Sequence, residues 1–368
     1  MDGLLEKKHE VYVVTMYEQF KWQKNGYLKY INKRHRSKSA KILANTKILE
    51  KITGQKNLSR MAVITKALLK NYKELNIESD VLIATHTYTA DAVFKLGKNK
   101  KIVMHNQHFE ELMFDEYEDI AELKKYNYLP FNHIVNSTWL QKMFQYNYNI
   151  NPQVITSAID QKLFYAKPDP KKYKNPKKIK IITYCDPYRE FKAFKEQKEV
   201  LGKLCKKSKN VEISVFGKDP KTKEFTCKYL GWISYKELAK KYRESHLMIM
   251  FSWYESFPWP PLEAMCSGCA VMAARHGTED YLEDKVSGEI INVFKPDQAA
   301  KKIEKLIRDP KLMYKYALEG SKIAKKFTWE NQINKLNKFL RSIKPYKPMD
   351  INAIQGGDYK ELNKIYSG

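Results

Sequence analysis

Short apolar runs alternate with stretches of helical spacing along most of the chain. Glu10 to Thr15, Val81 to Ala84, Lys101 to Met104 and Tyr128 to Asn136 are rich in β-branched and aromatic residues and read as strands. Leu4 to Lys8, before the first of them, looks like the end of a helix. Ser59 to Leu75 repeats apolar residues at Met61, Ile64, Leu68, Tyr72 and Leu75, the spacing of one helical face, with Ser59 placed to cap it. A helix is predicted at Ser137 to Phe144, then a short strand at Val154 to Ser157 and a turn at Ile159-Asp160. After residue 178 the alternation starts again. Strands are predicted at Ile179 to Tyr184, Val211 to Phe216, Leu247 to Phe251, Ala270 to Ala273 and Val286 to Ile291. Helices are predicted at Glu190 to Lys206, Ser234 to Arg243, Leu262 to Ser267, Asp297 to Ile307 and Leu312 to Lys326.

Strand and helix in alternation imply an α/β protein with a parallel sheet wrapped by helices, here twice over. Residues 167–178, with three prolines and six lysines, mark the expected boundary. The expected division is a basic first domain at 1–166, a linker at 167–178, a second domain at 179–330, and a C-terminal helix and tail at 331–368. The polar stretch Pro345 to Gly368 is expected to be irregular or loosely docked.

Composition narrows the class. At 368 residues the chain is long enough for two cores. No apolar stretch approaches bilayer length, and the N-terminus, MDGLLEKKHE, has no apolar signal core. Five irregularly spaced cysteines argue against a disulfide framework, so a reducing, cytoplasmic setting is expected. Cys266 and Cys269 form a C-x-x-C that reads as packing. The net charge of +25 calls for an anionic partner. More than half of that excess lies in Lys21–Lys73, which holds fifteen Lys or Arg and one acid, interleaved with Trp22, Tyr27 and Tyr30. Such a segment suits an anionic membrane surface, reached peripherally, better than nucleic acid, because no nucleic-acid motif accompanies it.

The stretch Ser252 to Val271, SWYESFPWPPLEAMCSGCAV, is the focus of the chain. A buried strand runs into a proline-rich corner, then into a short helix stopped by Gly268. A helix N-terminus fed by a strand is a place for anions, because free N–H groups and the positive dipole end face outward. Two carboxylates flank the corner: Glu255 at the strand exit, and Glu263, seven residues further on, expected in the first helical turn.

This stretch resembles the E-x7-E signature of retaining GT-B glycosyltransferases, most closely family 4. Smaller matches spread over nearly the whole chain. Ser137 with Leu140, then Ile159-Asp160 with Phe164, resemble the family's S-x-x-L helix and I-D-x-x-x-F turn. Gly231 with Glu237-Leu238 and Phe327 with Trp329 resemble two later motifs. The resemblance implies a GT-B fold, two Rossmann-like domains facing across a cleft, and retaining transfer from a nucleotide-sugar donor to a glycan or lipid-linked acceptor in envelope or polysaccharide synthesis. It also implies site roles. Glu263 would accept from the ribose hydroxyls, and Glu255 would face the donor sugar. Arg189 and Lys192 would hold the diphosphate, with Lys195 as fallback, and the N–H groups of Ser256 and Phe257 would add donors. His105, or alternatively His108 with Glu110, would stand near the anomeric carbon. Trp259 either floors the sugar pocket or packs in the core. The chain departs from the family pattern in two places: Asp186-Pro187 replaces the usual glycine before Arg189, and Ser256 replaces the usual glycine after the first glutamate.

No D-x-D motif and no His/Cys/Asp cluster at metal spacing occurs, so no metal and no cofactor beyond the donor substrate are expected. The competing functional classes are a GT-B-fold nucleotide-sugar-binding protein with impaired catalysis and a basic nucleic-acid-binding module. The resemblance also implies a first strand and Gly-rich loop ahead of Glu10. Neither is seen there, so either this chain is shortened or strands at Glu10 and Val81 pair directly; the first is favoured.

Overall fold

The computed structural model describes residues 2–14, 60–76, 78–112 and 124–347. The helices in chain order are α1 (Asp2–Glu6), α2 (Arg60–Leu75), α3 (Ala90–Leu96), α4 (Thr138–Tyr148), α5 (Gln161–Phe164), α6 (Pro170–Tyr173), α7 (Phe194–Lys207), α8 (Tyr235–Glu244), α9 (Trp259–Cys266), α10 (Pro296–Ile307), α11 (Pro310–Ala324) and α12 (Trp329–Ser342). The strands are β1 (Val81–Ala84), β2 (Lys101–Asn106), β3 (Asn132–Val135), β4 (Gln153–Val154), β5 (Ile179–Cys185), β6 (Val211–Gly217), β7 (Lys228–Gly231), β8 (Leu247–Met250), β9 (Ala270–Ala273) and β10 (Glu289–Ile290). Two compact units result: Met1–Asn136 with Leu140–Ile155 and Ile333–Gly368, and Ser137–Trp139 with Thr156–Gln332.

The first unit holds a four-stranded parallel sheet in the order β1-β2-β3-β4. One core joins Ala84, Ala90, Val93, Ile102, Met104, Tyr126, Phe131 and Tyr346. A second joins Val103, Ile134 and Ile155 to Leu340, with Leu4, Leu336 and Phe339 packed alongside. The C-terminal helix thus returns to this unit, and His9 meets Asn337 at 2.7 Å. Part of the expected loose tail is therefore fixed: Tyr346 is buried, and its N–H donates to the Lys100 carbonyl at 2.7 Å. The strand expected at Glu10 does not form over Glu10–Val14, and among the described residues nothing pairs with β1 on its outer side. Val11 and Val13 are only half-buried, so the β-branched run has no core face to join. Most of the basic Lys21–Lys73 segment lies outside the described residues, and its last part forms α2. No helix among the described residues is long and apolar enough to cross a membrane.

The second unit holds a six-stranded parallel sheet in the order β10-β9-β8-β5-β6-β7. Its strands are apolar on both faces; β8 and β9 are buried at every residue, as expected where helices cover both sides. Chain order runs outward from β5 in one direction through β6 and β7, and in the other through β8, β9 and β10. The direction reverses between β5 and β8, which pair through Ile181–Leu247, Ile182–Met248 and Thr183–Ile249. Thr183 Oγ1 donates to the Ile249 carbonyl at 2.8 Å, and the buried Gln197 amide of α7 donates back to Thr183 Oγ1 at 2.8 Å.

Residues 167–178, expected as a linker between domains, lie inside this second unit. Pro170–Tyr173 is helical, with Asp169 capping it through the Lys171 N–H at 2.9 Å. Tyr173 is buried in the core. Lys172 Nζ donates to the carbonyls of Arg243 at 3.2 Å, Ser245 at 2.8 Å and Gly268 at 2.9 Å, gathering carbonyls at the ends of α8 and α9. The composition signalled a loop, but one lysine and one tyrosine dock it. Lys172→Met should leave those carbonyls short of a donor and lower stability by about 1–3 kcal/mol. The check is a shift of the denaturant midpoint at unchanged slope.

Candidate functional site

Ligands of open parallel sheets bind outside the carboxyl ends of the strands, where strand order reverses. In the second unit that point lies between β5 and β8. The loop after β5 runs from Asp186 to Ala193. It was expected to enter a helix directly at Glu190, but Glu190–Lys192 forms a 3-10 turn. Ala193 then takes a left-handed conformation (φ 55°) before α7 begins at Phe194. The loop after β8 carries Ser252 to Pro258.

These two loops bring Lys192 and Glu255 together. Lys192 Nζ lies 2.5 Å from Glu255 Oε1, and both side chains are about 13–14% exposed. Ser252 Oγ donates to the same oxygen at 2.6 Å. The Lys192 ammonium also rests over the rings of Phe191 at 4.9 Å and Tyr184 at 5.7 Å. The Glu255 N–H donates to the His276 carbonyl at 3.2 Å. Gly277 (φ 91°) allows this approach, because a Cβ there would stand 2.1 Å from the Glu255 carbonyl oxygen. Burial pushes the Tyr184 hydroxyl up to about 12; the carboxylates of Asp186 and Glu255 add to the rise, and Arg189 opposes it. Arg189 itself is exposed, as is Lys195.

Glu263 sits deeper. The helix expected at Leu262 begins at Trp259, which moves Glu263 into the second turn. It is 4% exposed, and the Tyr242 hydroxyl of α8 donates to its Oε2 at 3.3 Å. Burial pushes its carboxyl up to about 7, and the Tyr242 hydrogen bond pulls the other way. Tyr281, itself buried, feels the charges of both Glu255 and Glu263. The proline-rich corner weakens the helix N-terminus as an anion site. Pro258 is the cap, and Pro260 and Pro261 fill the next positions but one, so Trp259 alone supplies an N–H among these four residues. An anion here must lean on side chains and on the loop before the helix. The Phe257 ring belongs to the core, against Tyr281 at 5.4 Å and Phe327 at 5.9 Å. Ser256 is buried beside it, while Trp259 is 43% exposed. Cys266 and Cys269 are free, buried thiols, each pushed up to about 12 by burial, in keeping with packing.

The histidines belong to the first unit. The strand expected to end at Met104 continues to Asn106, so His105 is a strand residue paired with Ile134 rather than a loop residue. Burial lowers its pKa. His108 is exposed beyond the strand. A neighbouring cluster was not singled out from the sequence. Thr87 Oγ1 donates to Glu110 Oε1 at 2.6 Å, and His86 Nδ1 lies 4.0 Å from the same oxygen. Burial pushes the Glu110 carboxyl up to about 7. Among the described residues no group of three or more His, Cys, Asp or Glu stands where it could hold a metal ion.

Comparison with known proteins bears on the second unit first. Residues 166–326 match the model of the family Glycosyl transferases group 1. That stretch contains Lys192, Glu255 and Glu263, and the sheet reversal between them. A D-inositol 3-phosphate glycosyltransferase from Nocardiopsis dassonvillei is 28% identical over 102 residues, which span 27% of this chain and 24% of that protein. The aligned part is thus about a quarter of that relative's length. Three solved structures share the fold over three quarters of the chain. They are sucrose-phosphate synthase from Thermosynechococcus elongatus (TM-score 0.63, 15% identity, 76% of this chain and 78% of that one), HepE from Anabaena solved with UDP-glucose (0.62, 17%, 78% and 84%), and TarM from S. aureus (0.61, 20%, 75% and 58%). The fold is α/β with parallel sheets, of the GT-B type.

The buried Glu263 gives stability a pH dependence. Its folded-state pKa of about 7 stands above the ordinary value of 4.5. Between those values the folded chain holds the proton more firmly than the unfolded chain, so stability falls as pH rises through that window and levels off above it. Glu263→Gln removes the term. It should stabilise the protein by roughly 1–3 kcal/mol at pH 8 and by little at pH 5, read from denaturant melts at both values.

Proposed function

We propose that the chain is a glycosyltransferase that moves a sugar from a nucleotide-sugar donor to a hydroxyl of a glycan or lipid-linked acceptor, with retention and without a metal. The observation that carries this is the meeting of Lys192 and Glu255 at the β5–β8 reversal, inside the stretch that matches the family model. In this reading the bond between the anomeric carbon and the diphosphate oxygen breaks, and the acceptor oxygen forms its bond on the same face. The acceptor proton passes to an oxygen of the departing phosphate. The chain's part is to stabilise the charge that develops on the diphosphate. Lys192 and Arg189 are the cations for that task, with the N–H groups of Ser256 and Phe257 as further donors. Glu255 faces the sugar hydroxyls, and Glu263 accepts from the ribose. His105 or His108 serves the sugar from the first unit. HepE was solved with UDP-glucose and TarM with UDP, which supports a nucleoside diphosphate as the common ligand. Attachment to an anionic membrane through Lys21–Lys73 belongs to the same proposal.

Thermal-shift screening against UDP-, GDP-, ADP- and dTDP-sugars should find one that raises the melting temperature by mass action. Glu263→Ala should then weaken that donor by about 1.5–3 kcal/mol, the worth of charge-assisted hydrogen bonds. Because ribose hydroxyls favour the ionised carboxylate, binding near pH 7 should release a proton, seen as a buffer-dependent calorimetric enthalpy. Transfer should survive EDTA. A strict need for added Mg²⁺ or Mn²⁺ would remove Lys192 and Arg189 from the diphosphate role.

A further inference from the structure

We infer that Tyr254 is a positioning residue: its ring, stacked on Phe191, fixes the loop carrying Lys192 against the loop carrying Glu255, so that both charges face one ligand. The inference rests on the nucleotide-sugar reading of this site. Tyr254 immediately precedes Glu255, and Phe191 immediately precedes Lys192. The two rings lie 5.3 Å apart, with their planes 13° from parallel. Trp139, also of the second unit, lies on Tyr254 at 6.4 Å and 15°. The Trp253 N–H donates to the Phe191 carbonyl at 2.8 Å, a main-chain tie at the same place.

The loop after β5 needs such a hold. It contains a 3-10 turn of only three residues, Glu190–Lys192, which ends on the left-handed Ala193. Turns of this kind have poor hydrogen-bond geometry and are uncommon as long runs. A lysine on a loose turn would lose much rotamer freedom on meeting an anion, which weakens binding. Here the Phe191 ring that Tyr254 grips is also the ring beneath the Lys192 ammonium, at 4.9 Å. Stacking, backbone tie and cation–π contact therefore converge on Phe191, and the lysine is already placed when a ligand arrives. Tyr254 supplies no group to the diphosphate in this account; it acts through Lys192.

A double-mutant cycle tests this, read by calorimetry on the full chain with whichever of UDP, GDP, ADP and dTDP binds the wild type. Tyr254→Leu should lower affinity about tenfold, the upper range for an aromatic pair. Tyr254→Phe, which keeps the ring, should stay within about twofold of the wild type. In a Lys192→Met background the Tyr254→Leu loss should shrink to less than about twofold, because the residue it positions is gone. Should Tyr254→Leu fail to fold, Phe191→Leu breaks the same stack from the other loop and is read in the same cycle. Equal losses in both backgrounds, or no loss in the first, would overturn the inference while leaving the nucleotide-sugar reading standing. A wild type that binds none of the four nucleotides would overturn that reading, and the inference with it.

Discussion

The pairing of β5 with β8 is the constraint on which the second unit depends. Each strand in a parallel sheet needs a crossover, and the crossovers on the two sides of this pair run in opposite directions. The loops leaving the two strands are therefore carried apart, and a crevice opens between them at their carboxyl ends. Thr183 and Gln197 close the hydrogen-bond accounts of the pair from within. Lys192 rides on one loop and Glu255 on the other, so the ion pair at 2.5 Å is a consequence of topology before it is a matter of side chains. The first unit, whose described strands run in simple order from β1 to β4, shows no such reversal.

The two glutamates of the proline-rich corner occupy different electrostatic settings. Glu255 has a lysine and a serine on one oxygen. Glu263 has a tyrosine hydroxyl and little water, and its carboxyl rises to about 7. A carboxylate already matched by a cation remains charged and specific in shape. One held near its titration point is ready to be drawn into the charged form by hydroxyl donors. Prolines at 258, 260 and 261 remove N–H groups where a helix would ordinarily offer them, so side chains carry the burden of recognising an anion.

Much of this was legible in the sequence, where apolar runs are long enough to mark buried strands and the E-x7-E spacing marks the corner. Other features depend on contacts that no local pattern encodes. Ala193 in a left-handed conformation breaks a stretch whose composition reads as continuous helix. The partner of Glu263 is Tyr242, on a different helix. Residues 167–178 look like a linker because lysine and proline dominate them, yet Lys172 and Tyr173 find carbonyls and core to dock against. Glu10 to Val14 has the residues of a strand and no sheet edge to join. The Thr87–Glu110 contact spans the ends of two strands and carries no motif.

The central claim is that Lys192 and Glu255 meet in order to share one ligand. The most direct test is a crystal structure of the full chain with the nucleoside diphosphate that binds it. The account predicts diphosphate oxygens within about 3 Å of Lys192 Nζ, ribose hydroxyls on Glu263, and the Lys192–Glu255 contact lengthened to admit the ligand. A nucleotide bound elsewhere, with that ion pair unchanged, would contradict it.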